Sequence, residues 1–262
     1  MELTLDLHIH SALSPDGRMS AAEILSVARE KGLGGVAVCD HDRLFVPDAA
    51  LAVPEDFLLI CGEEFSTEFG HLLGLFLTRE IAWQALPKEA EQRERITHFL
   101  DLCDRIHAQG GLCVLAHPFE RDPDSARLEP ILDCLDGIET WNGRANRKRP
   151  TANGEAAAFA EAHVLPAFAG SDAHLPREIG SGVVCVSVPA LSAEAVRSAL
   201  LQPGNETFGV NSRHFDVARS QHTKLKKTRA GLPARLRWLA FAVKCAAEDA
   251  SSVARRRKTV DS

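Results

Sequence analysis

Short apolar runs that end in polar residues recur along most of this chain. Over residues 3–10, apolar and polar residues alternate, and this period of two predicts a strand that is buried on one face. The continuous apolar run at residues 35–39 predicts a strand that is covered on both faces. Further strands are predicted from the apolar runs at residues 57–61, 72–77, 112–116, 137–141, 164–169 and 182–188.

Helical patterns separate the predicted strands. Ser20 and Glu23 match a capping box, which predicts a helix that begins there and ends near Gly32. Other helices are predicted at about residues 89–108, 128–135, 151–163 and 192–201. Because strands and helices alternate and polar residues follow the strands, the pattern predicts an α/β barrel. Its site would be built from the carboxyl ends of the strands.

The charge of the chain divides it into two parts. The 262 residues carry a formal net charge of −6, but residues 1–210 carry −15 and residues 211–262 carry +9. We therefore expect a main domain over residues 1–210 and a chemically distinct basic tail over residues 211–262.

The basic tail contains one clear helical pattern. Within residues 232–244, apolar residues recur at helical spacing, and Pro233 suits a first turn. Disorder is expected only for the last dozen residues, around Arg255–Lys258. Three roles stay open for the tail: packing against the acidic barrel, docking to a membrane surface or a partner, and binding nucleic acid.

The hydropathy and the cysteines of the sequence predict the cellular location of the protein and the state of its thiols. No apolar run approaches the roughly 20 residues that span a bilayer, and no secretory signal precedes the first strand, so we expect a cytoplasmic protein. The seven cysteines form no C-x-x-C pair. They are predicted to be free thiols in the core rather than disulfides or zinc ligands. The sequence leaves the oligomeric state open.

Histidines and acidic residues stand at or beside the ends of the predicted strands. His8 and His10 lie two positions apart on the first strand, so both imidazoles point to the same face. The full set is His8, His10, Asp16, His41, Glu64, His71, His117, Asp172 and His174. Converging carboxylates repel one another and lose solvation unless cations compensate them. Imidazole and carboxylate ligands without thiolates predict an open catalytic site for Zn, Mn or Fe.

The motifs that contain these residues resemble, in their order, those of the polymerase and histidinol phosphatase (PHP) family of metal-dependent phosphoesterases. They are DLHIHS (6–11), CDHD (39–42), GEEF (62–65), GHLLGL (70–75), AHPF (116–119), ETWNG (139–143) and GSDAH (170–174). The resemblance covers about residues 3–188. It implies a distorted (β/α)7 TIM-like barrel, to which the basic C-terminal helix would be an extension.

The resemblance also implies how the nine residues divide among two to three divalent metal ions. One metal would be held by His8, His10, Glu64 and Asp172, a second by Glu64, His71 and His117, and a third by Asp16, His41 and His174. Asp16 stands where some relatives place histidine. This change keeps a ligand and favours harder ions.

The resemblance implies a mechanism in which Glu64 and Asp172 hold a metal-bridging hydroxide. The hydroxide would attack phosphorus in line, while the third cation stabilises the leaving alkoxide. Asp6 and Asp40 are predicted to accept hydrogen bonds from imidazoles and so fix their tautomers, with a solvated or capping role as the alternative.

Positive charge for a phosphate group follows the predicted strand at residues 137–141. Asn142, Arg144 and Lys148 are the predicted substrate-binding residues. Arg144 is the predicted phosphate clamp, because arginine binds phosphate through two parallel hydrogen bonds. The alternative is a solvated basic loop.

The leading prediction is therefore a phosphatase that hydrolyses the phosphate monoester of a small metabolite or nucleotide. The alternative is a nuclease or nucleic-acid-processing accessory, similar to a 5′–3′ exonuclease, that binds through the basic tail. The segment between His71 and His117 has room for one strand and one long helix, so no cap domain is expected there. Without a cap domain, a nucleotide is the less favoured of the two predicted substrates.

Overall fold

A computed structural model describes residues 1–87 and 89–260 of the chain. Within these residues the strands are β1 (Glu2–Ile9), β2 (Gly35–His41), β3 (Leu58–Thr67), β4 (Gly70–Leu75), β5 (Leu112–Ala116), β6 (Gly137–Asn142), β7 (Ala167–Gly170), β8 (Gly182–Ser187) and β9 (Glu206–Gly209). The α-helices are α1 (Ala21–Glu30), α2 (Gln92–His107), α3 (Ala152–Ala162), α4 (Ala193–Leu200), α5 (His214–Lys227) and α6 (Leu232–Val260).

The strands form one mixed sheet in the order β7-β6-β5-β4-β3-β2-β1-β8-β9. Strands β1, β2 and β3 are parallel to one another, as are β5, β6 and β7. Strand β4 runs antiparallel to β3 and β5, and β8 runs antiparallel to β1. A bridge between Ile9 and Ala173 brings the chain after β7 beside β1, so the sheet is a nearly closed barrel. The predicted TIM-like barrel is confirmed, and its reversed strands are the distortion.

Two predicted features differ from the structure. Residues 128–135 were expected to be an α-helix, but the segment is a 3₁₀ helix (Ala126–Cys134) that contains Pro130, which has no N–H to donate within a helix. Strand β1 was expected to be buried on one face only. Its residues from Leu5 to Ile9 are all buried, because its polar face points into the interior of the barrel mouth rather than into solvent.

Apolar clusters on both sides of the sheet hold the barrel together. One cluster, around Phe65 and Phe99, lies beneath α2 and α3. A second, around Leu5 and Leu73, joins the strands to α4, and a third, around Ile24, lies beneath α1. The Ser20 hydroxyl accepts a hydrogen bond from the Glu23 N–H and caps α1, as its capping box predicts.

The basic tail contains two helices where one was predicted. Helix α5 lacks a clear apolar stripe, whereas the predicted helix over residues 232–244 lies within α6. The two helices pack together through Ala218, Ala242 and Cys245, with Trp238 and Phe241 beside them. The domain boundary at residue 210 stays a prediction.

Two features remain to be described: the C-terminal end of the tail and the hydropathy of the helices. The expected disorder of the last dozen residues stays a prediction, since residues 261–262 and the side chains of residues 253–260 lie outside the described part of the chain. Among the described helices, none combines the length and the apolar character that a membrane crossing requires.

Candidate metal centre

Two imidazoles of β1 lie side by side at one end of the barrel. The side chains of His8 and His10 are fully buried, and their Nε2 atoms are 3.2 Å apart. Because the two imidazoles are this close and away from water, their nitrogens need a hydrogen-bond partner or a cation beside them, whether the rings are neutral or charged.

Glu64, near the C-terminal end of β3, lies at the centre of the cluster. Its Oε1 atom is 2.6 Å from His71 Nδ1 and 3.2 Å from His117 Nε2. Its Oε2 atom is 2.6 Å from His41 Nδ1 and 3.3 Å from His10 Nε2. One buried carboxylate therefore faces imidazoles from four different segments of the chain.

His71 joins this cluster although it stands at the beginning of its strand. Strand β4 is antiparallel to both neighbours, and its register places His71 opposite Ser66 at the end of β3 and opposite Ala116 at the end of β5. The start of an antiparallel strand lies at the same edge as the carboxyl ends of its neighbours.

The remaining candidate ligands close the other side of the cluster. Asp16 Oδ1 is 3.3 Å from His174 Nε2 and 3.6 Å from His41 Nε2. Asp172 Oδ1 is 3.2 Å from His10 Nε2. Asp172 and His117 both have positive φ angles, of 54° and 29°. Non-glycine residues with such backbone angles are uncommon and concentrate at functional sites.

The structure thus brings all nine candidate residues into one cluster. Four sets of side chains have ligand atoms within 4.8 Å of one another: His8, His10 and Asp172; His8, Glu64 and His117; His41, Glu64 and His71; and His10, His41 and His174. The first set belongs to the first metal position that the resemblance implies. The other sets cut across the implied positions, so the division of ligands among metals stays a prediction.

The electrostatics of the cluster keep its carboxylates charged. Burial alone would raise the pKa of Glu64, but the imidazoles of His71, His41 and His8 hold it well below its usual value. Burial would lower the pKa of His41, yet Glu64, Asp16 and Asp172 raise it to about 9. Buried carboxylates remain ionised here because positive charge faces them.

The donor set suits divalent cations. Glu64 Oε2 and Asp16 Oδ1 are buried, and although imidazole nitrogens of His41 and His174 lie close to them, neither oxygen has a partner with hydrogen-bond geometry among the described residues. An acceptor in that position costs free energy unless a donor or a cation satisfies it. Imidazole nitrogens and carboxylate oxygens without thiolates are the ligands of catalytic Zn, Mn and Fe sites.

Glu139, to which the sequence analysis assigns no role, orients two candidate ligands. Its Oε1 atom is 3.1 Å from His8 Nδ1, and its Oε2 atom accepts hydrogen bonds from the N–H of His117 and from the Asn142 side chain. It is buried and is the third residue of β6. A carboxylate on the far nitrogen of a ligating histidine fixes its tautomer.

Asp6 and Asp40 act differently from the prediction. Asp6 accepts hydrogen bonds from the N–H groups of Ser171 and Gly180, and Asp40 from the N–H and hydroxyl groups of Ser11 and Ser14. Within the described residues, neither bonds directly to an imidazole. The direct contact was therefore wrong, and capping is their role.

Asp40 is nevertheless linked to the cluster through the hydroxyl group of one serine. The hydroxyl of Ser14 donates to Asp40, and its oxygen lies 3.1 Å from His10 Nδ1. The Asp40 carboxylate of β2 therefore supports the ring of His10 indirectly.

The predicted substrate-binding residues lie next to the cluster but are held by other protein groups. Arg144 is buried and forms a bidentate pair with Glu178, and Lys148 Nζ is 2.8 Å from Glu120. The side-chain oxygen of Asn142 accepts hydrogen bonds from the N–H groups of Arg144 and Ala145. Their binding of substrate stays a prediction, and their hydrogen bonds show that each also stabilises the loop after β6.

Helices α5 and α6 form one wall of the cleft above the cluster. The cleft has a volume of about 910 Å³ and contains His41, Glu64 and Asp172 on the barrel side. On the tail side it is lined by Val217, Gln221, Lys224, Leu225, Ala234, Arg237, Trp238 and Phe241. The described residues between His71 and His117 form the rest of β4, α2 and β5, and the C-terminal segment lines the cleft above the site.

Lys227 attaches this wall to the loop that carries Asp16. Its Nζ atom donates hydrogen bonds to the carbonyl oxygens of Ala12, Ser14 and Gly17, at 2.7 Å, 2.7 Å and 2.8 Å. All three donors of the ammonium group are used. The C-terminal segment therefore holds a candidate ligand loop more than two hundred positions away in sequence.

Comparison with known proteins agrees with this geometry. The family model described as PHP-associated matches residues 150–202. The uncharacterized protein MJ1587 of Methanocaldococcus jannaschii is 32% identical over 151 residues, which are 52% of this chain and 80% of that protein.

Solved structures share the fold. A two-domain protein from Bacteroides vulgatus, containing a predicted PHP-like metal-dependent phosphoesterase, superposes with a TM-score of 0.55 at 20% identity, over 85% of this chain and 70% of that one. The lesion-specific endonuclease PfuEndoQ from Pyrococcus furiosus has a TM-score of 0.54 at 20% identity, over 82% of this chain and 60% of that one. The barrel, its cluster of imidazoles and carboxylates and these matches identify the chain as a member of the polymerase and histidinol phosphatase (PHP) family.

Proposed function

We propose that this protein is a metal-dependent phosphatase that hydrolyses the phosphate monoester of a small metabolite or nucleotide. The observation that carries the proposal is the convergence of nine imidazole and carboxylate side chains around Glu64, in which one buried oxygen of Glu64 and one of Asp16 lack a hydrogen-bond partner among the described residues. Such a set is costly to assemble without cations.

The nine residues would hold two to three divalent cations. His8, His10, Glu64 and Asp172 would form one position, Glu64, His71 and His117 a second, and Asp16, His41 and His174 a third. When bound, the cations supply a water of lowered pKa and positive charge for the phosphate oxygens. Glu64 Oε2 and Asp172 Oδ1 lie 3.3 Å and 3.2 Å from His10 Nε2, and we assign to these two carboxylates the orientation of the attacking water.

The shape of the cleft supports a small substrate. Its volume of about 910 Å³ lies within the range of small-molecule sites. Arg147, Lys224 and Arg237 line it and have no carboxylate within 4 Å among the described residues, whereas Arg144 and Lys148 do. We assign to these three cations the binding of the anionic parts of the substrate, with Arg144 as a fixed positive charge behind them.

A phosphate-release screen tests this function. The purified protein would be loaded with Mn, Zn or Fe and supplied with mononucleotides, nucleoside bisphosphates, sugar phosphates and histidinol phosphate. We expect metal-dependent release of inorganic phosphate from one of these classes, and none from the Glu64→Gln variant. A metal-loaded enzyme that releases phosphate from none of them, but cleaves oligonucleotides, would contradict the proposal.

A nuclease is the second candidate. The observation that favours it is the pair of cations on the tail side of the cleft, Lys224 and Arg237, which have no carboxylate within 4 Å in the described part of the chain. The fold shared with a lesion-specific endonuclease also favours it. Phosphate contacts of this kind give binding that weakens steeply as salt increases. We expect no such binding from the phosphatase, and oligonucleotide binding that is lost in Lys224→Glu would favour the nuclease.

A further inference from the structure

The outer face of α6 carries an apolar stripe that the other described residues leave uncovered. Leu232, Leu236, Leu239 and Val243 are 68%, 58%, 54% and 64% exposed. Few large apolar side chains on the chain are as exposed, and these four lie in one row. A contiguous apolar row on the surface of a folded protein marks an interaction site.

The inner face of α6 is already occupied. Trp238 donates a hydrogen bond to the Ala218 carbonyl oxygen and stacks on His222 of α5, while Ala242 and Cys245 are buried against α5. The exposed stripe therefore does not fold onto the barrel, and a different surface must cover it.

The spacing of the stripe is that of a coiled-coil seam. Its apolar positions, at residues 232, 236, 239, 243, 246 and 250, are separated alternately by four and three residues. This repeat averages 3.5 residues and places a helix against a helix, with Leu and Val in the positions that coiled coils prefer. A lipid surface imposes no such repeat, because a broader apolar face serves it equally well.

Residue size along the seam defines an orientation. The N-terminal half carries leucines at 232, 236 and 239, and the C-terminal half carries Val243, Ala246 and Ala250. If two copies of α6 run antiparallel about a centre near residue 241, Leu232 and Leu236 face Ala250 and Ala246, and Leu239 faces the smaller Val243. Large and small side chains across an interface interdigitate without voids.

Charge favours the same arrangement. Arg235 lies beside the seam near its N-terminal end. Asp249, whose carboxylate also accepts hydrogen bonds from the N–H groups of His214 and Phe215 at the start of α5, lies on the same side near the C-terminal end. Antiparallel pairing places Arg235 of one copy opposite Asp249 of the other, whereas parallel pairing gives Arg235 no acidic partner across the seam. The antiparallel arrangement also aligns the two helix dipoles favourably.

We propose that the chain forms a two-fold symmetric dimer in which the exposed seam of α6 packs antiparallel on the same seam of a second copy. The seam runs from Leu232 to Ala250, a length of about 27 Å at 1.5 Å per residue. The interface is isologous, so a single substitution acts twice. It does not depend on the proposed phosphatase activity.

Sedimentation equilibrium of the full chain tests the proposal. We expect a concentration-dependent dimer for the wild type and a monomer for Leu236→Glu and for Leu239→Glu, with at least a tenfold rise in the dimer dissociation constant. Both leucines are exposed, so these variants should keep the circular dichroism spectrum and melting temperature of the wild type. The matched control is Lys244→Glu, which adds a negative charge on another face of the same helix and should dimerise.

Cross-linking tests the orientation. Leu239→Cys and Val243→Cys proteins, mixed under mild oxidation, should form a disulfide-linked heterodimer, whereas Leu239→Cys alone should not link to itself. Self-linking of Leu239→Cys would establish a parallel pair and overturn the orientation.

Three results would overturn the dimer itself. They are a wild type that stays monomeric at high micromolar concentration, a dimer that survives both leucine substitutions, and a monomer that binds phosphatidylserine vesicles and loses this binding in Leu236→Glu. The last result would assign the seam to a membrane surface.

Discussion

Arg144 and Glu178 form a bidentate ion pair inside the protein, with Nε–Oε1 and Nη2–Oε2 distances of 2.9 Å and 2.6 Å. Glu178 Oε2 also accepts hydrogen bonds from the N–H groups of His174 and Leu175. The third nitrogen of the guanidinium donates to the Ser220 hydroxyl of α5. One pair therefore links the loop after β6, the segment that carries His174 and the C-terminal wall.

This pair makes Arg144 a structural residue as well as a candidate phosphate clamp. Arg144→Ala leaves the Glu178 carboxylate buried without its cation, which costs about 3 to 5 kcal/mol of unfolding free energy. Chemical denaturation of the variant and the wild type would measure this loss.

A double variant separates the two roles of Arg144. Arg144→Met combined with Glu178→Gln removes both charges and should recover most of the lost stability, because a buried pair replaced by uncharged groups is often neutral. If Arg144→Ala keeps full stability but raises KM strongly, the clamp interpretation is right and the structural one is wrong.

Glu139→Gln tests the group that orients His8. The substitution removes the negative charge beside His8 Nδ1 but preserves size, so we expect a loss of about tenfold to a hundredfold in metal affinity or activity, as for other groups that orient metal ligands. Isothermal titration with Mn or Zn measures the affinity. Glu161→Gln, an exposed glutamate of α3, is the control and should bind like the wild type. Equal affinities for both variants would remove Glu139 from the site.

Lys227→Met tests whether the tail holds the Asp16 loop. Without the three hydrogen bonds to the carbonyl oxygens of that loop, Asp16 should lose its fixed position, and the number of metals bound per chain should fall. The matched control is Lys226→Met, since Lys226 is its exposed neighbour on α5. Metal analysis after gel filtration compares the two, and the attachment is refuted if both variants bind as much metal as the wild type.

Arg237→Ala tests the cleft wall on α6. Arg237 lines the cleft without a carboxylate partner among the described residues, so its loss should raise KM for the substrate while folding is preserved. Arg235→Ala, two positions away on the same helix, lies outside the cleft lining and serves as the control. A KM that is unchanged in Arg237→Ala would exclude the wall from substrate binding.

Much of the barrel could be predicted, because its strands carry strong apolar runs and its motifs mark their polar ends. The alternation of apolar and polar residues in β1 predicted that His8 and His10 lie on the same face. The ordered motifs predicted the other candidate ligands. Glu139 stood inside a motif, but its contact with His8 spans 131 positions and depends on the closure of the barrel.

The C-terminal wall could not be predicted in this way. Lys227 lies in a polar helix without a distinctive pattern, and its contact with the Asp16 loop follows from the tertiary packing of α5 alone. The apolar residues of α6 did predict a helix. Packing of these residues against the barrel was one of three roles left open for the tail. Their exposure could not be predicted, because it depends on Trp238 and Phe241 of the other face filling the contact with α5.

The central claim is that cations hold the nine side chains together, and metal content measures this most directly. The protein, exchanged into Mn, Zn or Fe and gel-filtered, would be analysed by inductively coupled plasma mass spectrometry beside Glu64→Gln and Glu63→Gln. Glu63 is the control because neighbouring residues of β3 point to opposite faces. We predict two to three metals per chain for the wild type and Glu63→Gln, and fewer than one for Glu64→Gln. A wild type without bound metal, or equal metal content in both variants, would contradict the account.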